Sequence, residues 1–276
     1  MPDSAPLASC LVTRQNMSEP RRDRVPTGEV VTYSAKSPAR DTDNEDAAAV
    51  IPLPGGRLVL AVADGVGGHV AGADASALAV GAIAESVSAA PADTADLRPA
   101  ILNGIETANA QISDLGVGAA TTVSVVEITG SALRPYHVGD SVILVVGQRG
   151  KLRLETVAHS PVGYALEAGL IDANEAMHHE DRHLVSNVVG SPDMRIEVGA
   201  VLRLHPRDTV VLGSDGLFDN LHRDEVIEMV RKGPLLKQAA AVSVLGRERM
   251  LDPDAGHPSK PDDLTFTLYR SVPTVS

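Results

Sequence analysis

Apolar residues along this chain follow two alternating periods. From Arg57 the run RLVLAVA is apolar at every position after the first, the pattern of a strand buried on both faces, and it stops at Asp64-Gly65. Two helical patterns follow. ADASALAVGAIAESVSAA is Ala-rich, and LRPAILNGIETANAQISDL sets Leu97, Ile101, Ile105, Ala108, Ile112 and Leu115 three or four residues apart, one stripe facing a core.

The period then shortens. TTVSVVEI, LRPYHV, SVILVV and KLRLETV are β-branched runs separated by Gly139-Asp140 and by Gly147-Gln-Arg-Gly150, which predicts an antiparallel meander. Residues 158–190 are polar, rich in histidine and too irregular for a plain connection, so they are expected to flap over a site. The remainder predicts a strand over 208–213, helices over 224–231 and 234–250, and a last strand LTFTLYR. Strands mixed with paired helices argue for a layered α+β domain over 29–276, and the Pro-, Ser- and Arg-rich residues 1–28 read as a flexible tail. Its basic cluster, Arg21, Arg22 and Arg24, reads as a solvated charge run.

Composition narrows the partners. The 276 residues are 43% hydrophobic and 22% charged, ample for a buried core, and only 2% aromatic, so Val, Leu, Ile and Ala must build that core. The net charge of -12 repels phosphate backbones and anionic lipid heads, so neither nucleic acid nor a membrane surface is expected as a partner. The single cysteine, Cys10, forms no internal disulfide and reads as an exposed bystander in a reducing compartment. No signal-peptide pattern and no apolar run of about 18 residues is visible, so a cytoplasmic chain is expected.

The informative residues are aspartates at the ends of buried strands. Asp64 precedes Gly65, Asp215 precedes Gly216, Asp140 lies between two strands, and Asp262 stands before the last one. Singly, an Asp-Gly pair after a strand is most simply a turn, and Asn44-Glu45-Asp46 is a solvated loop as readily as a site. Jointly the carboxylates would repel one another unless protonated or bridged by cations. All-oxygen ligation suits Mn2+ or Mg2+ better than zinc, and two such ions activate a water for displacement at phosphorus. Phosphate ester hydrolysis is the chemistry implied.

NEDA at 44–47, VADGVGGHVAG at 62–72, ATTVSVV at 120–126, HVGDS at 137–141, VLGSDGLFDNL at 211–221 and DDLT at 262–265 together resemble the metal-dependent PPM protein phosphatases (protein phosphatase 2C-like), bacterial branch. The resemblance implies a four-layer α-β-β-α sandwich of two antiparallel sheets flanked by helix pairs. It implies two Mn2+ or Mg2+ ions with a third ion site. Asp64 would bridge two ions with the Gly65 carbonyl on one, Asp215 and Asp262 would bind the other, and Glu45 and Asp46 would act through coordinated waters. Asp140 with Asp215 would form the third site, and 158–190 would be the mobile flap. The implied function is hydrolysis of phosphoserine and phosphothreonine in proteins by a metal-bound hydroxide without a phosphoenzyme, opposing a Ser/Thr kinase, in a monomer.

Three residues depart from the pattern or fall beside it. Asp263 stands where the family commonly has Asn, and Asp263→Asn is expected to leave activity within about an order of magnitude, because Asp262 supplies the ligand. The family's phosphate-gripping arginine would fall at Asp41, so Arg40 is the nearest candidate. His69, inside the glycine-rich motif, is a candidate acid for the leaving alkoxide. His178, His179 and His183 read as surface histidines before they read as ligands. The sequence lacks a nucleophile elbow, a Walker loop and a dinucleotide loop. The rival readings are a non-catalytic PPM-like phosphoprotein-binding regulator, disfavoured by the retained aspartates, and a phosphatase for small esters.

Overall fold

The computed structural model describes residues 9–271 apart from 67–69, 93, 95 and 255. The chain opens with strands β1 (Cys10–Thr13), β2 (Arg21–Val25), β3 (Gly28–Ala35), β4 (Asp46–Leu53) and β5 (Arg57–Val66), then helices α1 (Val70–Ser88) and α2 (Arg98–Asp114). Next come β6 (Ala120–Thr121), β7 (Val123–Thr129), β8 (Ala132–Val138), β9 (Val142–Val146) and β10 (Leu152–Glu155), and the short helices α3 (Pro161–Glu167) and α4 (Ala173–His178). The rest is β11 (Glu197–Val198), β12 (Leu202–Arg203), β13 (Thr209–Gly213), α5 (Asp215–Phe218), α6 (Arg223–Val230), α7 (Leu235–Met250) and β14 (Leu264–Ser271).

One sheet runs β1-β4-β5-β7-β8-β11, with β6 beside β5 and β12 beside β8; the other runs β10-β9-β13-β14-β3-β2. Both are antiparallel throughout. The alternation along β5 explains its unbroken apolar run. Leu58, Leu60 and Val62 point between the sheets, where they meet Ile143, Val145, Val210 and Leu212 of the second sheet. Val59, Ala61 and Ala63 point outward under α1 and α2, against Ala75, Ala79, Ile101 and Ile105. The outer face of the second sheet carries Val31, Leu144, Val211 and Phe266 beneath Val226, Val230, Ala239 and Val242 of α6 and α7. Three apolar layers between four layers of structure make the α-β-β-α sandwich. Each fully buried Leu, Ile or Val contributes about 1.5–3 kcal/mol of transfer free energy. The core is aliphatic as composition requires, although Tyr33, Tyr136, Tyr269 and Phe266 are also fully buried.

Three expectations need correction. The meander is split: β7 and β8 belong to the first sheet and β9 and β10 to the second. The change of sheet falls at Gly139-Asp140. Gly139 has φ of 104°, and a Cβ there would stand 2.6 Å from the Thr122 side chain, so the crossing takes glycine. The expected tail contains two edge strands. Cys10 begins β1, partly buried beside Val50 of β4, and the arginines at 21, 22 and 24 belong to β2, where charge on an outer strand discourages further pairing. Finally, β4 is a strand that the sequence reading passed over, because Ala47-Ala48-Ala49 has helical propensity; here small side chains let α1 lie close on the sheet.

Candidate functional site

The site is built where β4 begins and β5 ends, with Asp46 and Asp64 directly opposite each other. The Asp64 backbone is fixed on both sides. Its carbonyl accepts from the Thr122 N–H at 2.8 Å and the Thr121 hydroxyl at 2.8 Å, and its N–H donates to Thr122 Oγ1 at 3.2 Å. Thr122 Oγ1 in turn lies 2.6 Å from Ser141 Oγ, next to Asp140 at the crossing that leads into β9 of the second sheet. Asp46 is also tied across the sandwich. It is 1% exposed, and its Oδ2 accepts from the hydroxyl of Ser214, the residue before Asp215, at 2.8 Å. The two sheets are thus joined at this end by polar groups, and the same groups aim the carboxylates.

The loop leading into β4 is clamped by buried side chains. Asn44 donates to the Gln15 carbonyl at 2.7 Å and to Ser34 Oγ at 2.9 Å, while its own oxygen accepts from the Asp46 N–H at 2.9 Å. Asp263 accepts from the Glu45 N–H at 2.6 Å and the Ser37 N–H at 2.7 Å. Gly65 donates its N–H to the Glu45 carbonyl at 3.2 Å, and a Cβ at position 65 would sit 2.3 Å from the Gly72 carbonyl oxygen and 2.6 Å from that of Glu45. Glu45, Gly65 and Gly72 therefore pack backbone to backbone.

On the opposite wall α5 begins at Asp215 and carries Asp219 one turn later, on the same face. Lys260 reaches this face. Its ammonium lies 2.5 Å from Asp215 Oδ2, 2.8 Å from Asp219 Oδ2 and 3.4 Å from Asp262 Oδ2. Arg40 approaches the other oxygen of Asp262 at 3.5 Å.

Electrostatics show how closely these groups couple. Burial first, then Asp215, Asp46, Asp262 and Asp140, raises the Asp64 carboxyl well above its ordinary range. Asp46 rises through burial and the neighbouring Asp263, despite the Ser214 hydrogen bond. Burial and Asp215 push Asp140 up to about 7 and Asp262 up to about 6. Asp219 is also raised, by burial and Asp215. Burial alone would lower the Lys260 ammonium, but Asp215, Asp219 and Asp262 outweigh it and hold it above its usual value. Such a set of oxygens, with more negative charge than Lys260 and Arg40 offset, is chemically suited to hard divalent cations.

The structure brings Asp46, Asp64, Asp140, Asp215 and Asp262 into one coupled cluster, with Glu45 and Gly65 along its rim and Arg40 at its edge. His69 lies outside the described residues. Sequence reasoning missed Lys260 and Asp219; the spacing of four from Asp215 signals Asp219, whereas nothing around Lys260 marks it. Asp263 holds the Glu45 loop by its backbone.

Among the described residues, the group of three whose ligand atoms all lie within 4.8 Å is elsewhere: His137, His159 and Glu197. His159 Nδ1 accepts from the Gly139 N–H at 3.1 Å and the Asn187 amide at 2.8 Å, so Nε2 carries the hydrogen donated to Glu197 at 3.2 Å. The Asn187 orientation is fixed because the same amide donates to the Arg195 carbonyl and its oxygen accepts from the Arg195 N–H. With Nδ1 occupied and Nε2 protonated toward Glu197, His159 offers a metal no free lone pair and serves as a structural tie. It ties the start of the 158–190 segment to the turn that carries Asp140. Beyond this tie, α3 and α4 cover a cavity of about 510 Å³ that reaches Asp140, Asp215 and Asp219 and is lined on the flap side by Val162, Leu166 and Met177. His178, His179 and His183 belong to no such group of three among the described residues.

A family model described as Protein phosphatase 2C matches residues 36–245, a span that holds Asp46, Asp64, Asp140 and Asp215 and ends before Asp262. The chain belongs to the protein phosphatase 2C family. It is 30% identical over 196 residues to the protein phosphatase PhpP of Streptococcus pneumoniae, covering 68% of this chain and 79% of that one. Among solved structures, the serine/threonine phosphatase of S. agalactiae is similar with a TM-score of 0.76 at 27% identity, over 88% of this chain and 99% of that chain. The catalytic domain of the serine/threonine phosphatase PstP, solved with two manganese ions, superposes with a TM-score of 0.69 at 25% identity, over 88% of this chain and 97% of that one. This family's sandwich is the one described above. No helix among the described residues is long and apolar enough to cross a membrane.

Proposed function

We propose that this chain is a manganese- or magnesium-dependent phosphatase that removes phosphate from phosphoserine and phosphothreonine in proteins. The observation that carries the reading is the convergence of aspartates from separate strand ends: Asp46 faces Asp64 across β4 and β5, Asp46 bonds Ser214 beside Asp215, and Lys260 joins Asp215 to Asp262. A non-catalytic binding module has no need to crowd so much negative charge at one end of a sandwich. The similar PstP catalytic domain was solved with two manganese ions, which supports reading the cluster as a divalent-metal centre.

In this reading Asp64 and the Gly65 carbonyl, with Asp215 and Asp262, would hold two divalent ions, Glu45 and Asp46 would act through waters, and Asp140 with Asp215 would complete a third site. Bound there, divalent ions supply Lewis-acid stabilisation of phosphoryl oxygens and a water of lowered pKa. The chain itself does the positioning. Ser214 and Asn44 fix the Asp46 side chain and backbone, and Thr121 and Thr122 fix the Asp64 backbone. Asp263 holds the backbone of Glu45, and Arg40, 3.5 Å from Asp262, would grip a phosphate oxygen. A phosphoprotein would dock over the cavity beneath α3 and α4, whose apolar side chains would pack against residues flanking the phosphate. The chain would act as a cytoplasmic monomer opposing a Ser/Thr kinase, and its negative field would favour substrates with basic flanks.

The test is hydrolysis of a phosphopeptide and of an aryl phosphate with manganese, with chelator, and by Asp64→Asn. Turnover is expected only for the unaltered protein with metal, with the phosphopeptide preferred. Equal rates in all three conditions would overturn the mechanism, and a preference for the aryl phosphate would favour a small-ester phosphatase.

A further inference from the structure

We infer that Lys260 is a tethered cation that takes over part of the charge compensation otherwise left to a divalent ion at the Asp215, Asp219 and Asp262 side of the cluster. This goes beyond the proposed function but rests on its reading of the cluster as a metal centre.

Two independent observations carry it. The first is the geometry of the ammonium, which meets three carboxylates from two separate segments at 2.5, 2.8 and 3.4 Å. The second is that the residue is clasped by its backbone. The fully buried Asn220 accepts from the Lys260 N–H at 2.8 Å and donates through Nδ2 to the Lys260 carbonyl at 2.9 Å. The same amide reaches the Gly216 carbonyl at 2.9 Å, so the clasp locks Lys260 to the α5 turn that bears Asp215 and Asp219. A lysine on a free loop would lose much of its attraction to the entropy of a long side chain. Here the backbone is placed in advance, and the side chain is only about one-fifth exposed.

Charge then decides the consequence. A fixed ammonium at hydrogen-bond distance from Asp215 and Asp262 repels a divalent cation approaching the same oxygens, and it must be moved aside before those oxygens can ligate. It also stabilises the protein without metal, because three crowded carboxylates keep a partner. Lys260 therefore weakens the loosest divalent site while protecting the unloaded fold, so metal content becomes responsive to the surrounding concentration.

The experiment is manganese titration by calorimetry, with thermal melting in chelator as a readout that does not depend on turnover. Lys260→Met is expected to tighten the weakest manganese site by about tenfold or add one ion, and to lower the melting temperature in chelator. Lys260→Arg, which keeps the charge, should resemble the unaltered protein in both. Should Lys260→Met fail to fold, the double change Lys260→Met with Asp219→Asn preserves the charge balance and should still bind manganese more tightly at the weakest site. Unaltered protein that binds manganese, together with a lysine variant whose stoichiometry and affinities are unchanged, would overturn this inference alone. Unaltered protein that binds no manganese at all would overturn the metal-centre reading beneath it.

Discussion

The Asp263 carboxylate accepts the backbone N–H of Glu45 at 2.6 Å, and its second oxygen accepts that of Ser37 at 2.7 Å. An asparagine offers one oxygen, so one of these N–H groups would face an NH2. Asp263→Asn is expected to cost about 1–3 kcal/mol in urea denaturation, while saturating manganese keeps turnover within about tenfold because Asp262 is untouched. An unchanged denaturation midpoint would contradict the clamp.

At Gly65 the constraint is steric. A methyl group there would meet two carbonyl oxygens at 2.3 and 2.6 Å, and both belong to backbone. Gly65→Ala should therefore displace the Asp64 turn from Glu45. It is expected to abolish measurable phosphopeptide hydrolysis and to weaken manganese binding in calorimetry, whereas Gly81→Ala, which has nothing within 4 Å of the new methyl, should leave both unchanged.

The raised carboxyls give a pH dependence whose sign is fixed. Asp140 and Asp262 are pushed up to about 7 and about 6, above the ordinary aspartate value, so without metal their contribution to stability is greatest at low pH and is lost as pH rises through those values. A divalent ion replaces the lost protons. The gap in melting temperature between manganese-loaded and chelated protein is expected to be small near pH 5 and to widen toward pH 8. Scanning fluorimetry showing a gap that is flat or narrows with pH would argue against this coupling.

Away from the site, Arg249 grips Glu225 at 2.6 and 2.8 Å and holds its carboxyl below the ordinary range. A depressed carboxyl contributes stability above its ordinary pKa and loses it as pH falls through the depressed value. Glu225→Gln should destabilise by about 1 kcal/mol at pH 7, with the difference from the unaltered protein disappearing in acid. Denaturant melts at pH 7 and at pH 3 measure both ends.

What the sequence disclosed depended on how local the physics is. The β5 run and the α2 stripe were legible because burial imposes a period along the chain, and the aspartates at strand ends were legible because a buried strand must stop abruptly. The sheet change at Gly139-Asp140 was not, since β7 to β10 carry the same pattern whichever sheet they join. β4 was hidden by its alanines, whose helical propensity is overridden by the close approach of α1. The edge strand at 10–13 was hidden by its length of four residues, and that at 21–25 by charged residues that pattern reasoning assigns to a tail. Lys260 was illegible because its meaning lies in Asn220 and in two aspartates more than forty residues away.

The most direct measurement is a crystal structure of the protein soaked in manganese, read by anomalous scattering. Peaks are expected among Asp64, Asp215 and Asp262, next to Glu45 and Asp46. An anomalous map blank at those residues, or with its only peak at His137, His159 and Glu197, would contradict the account.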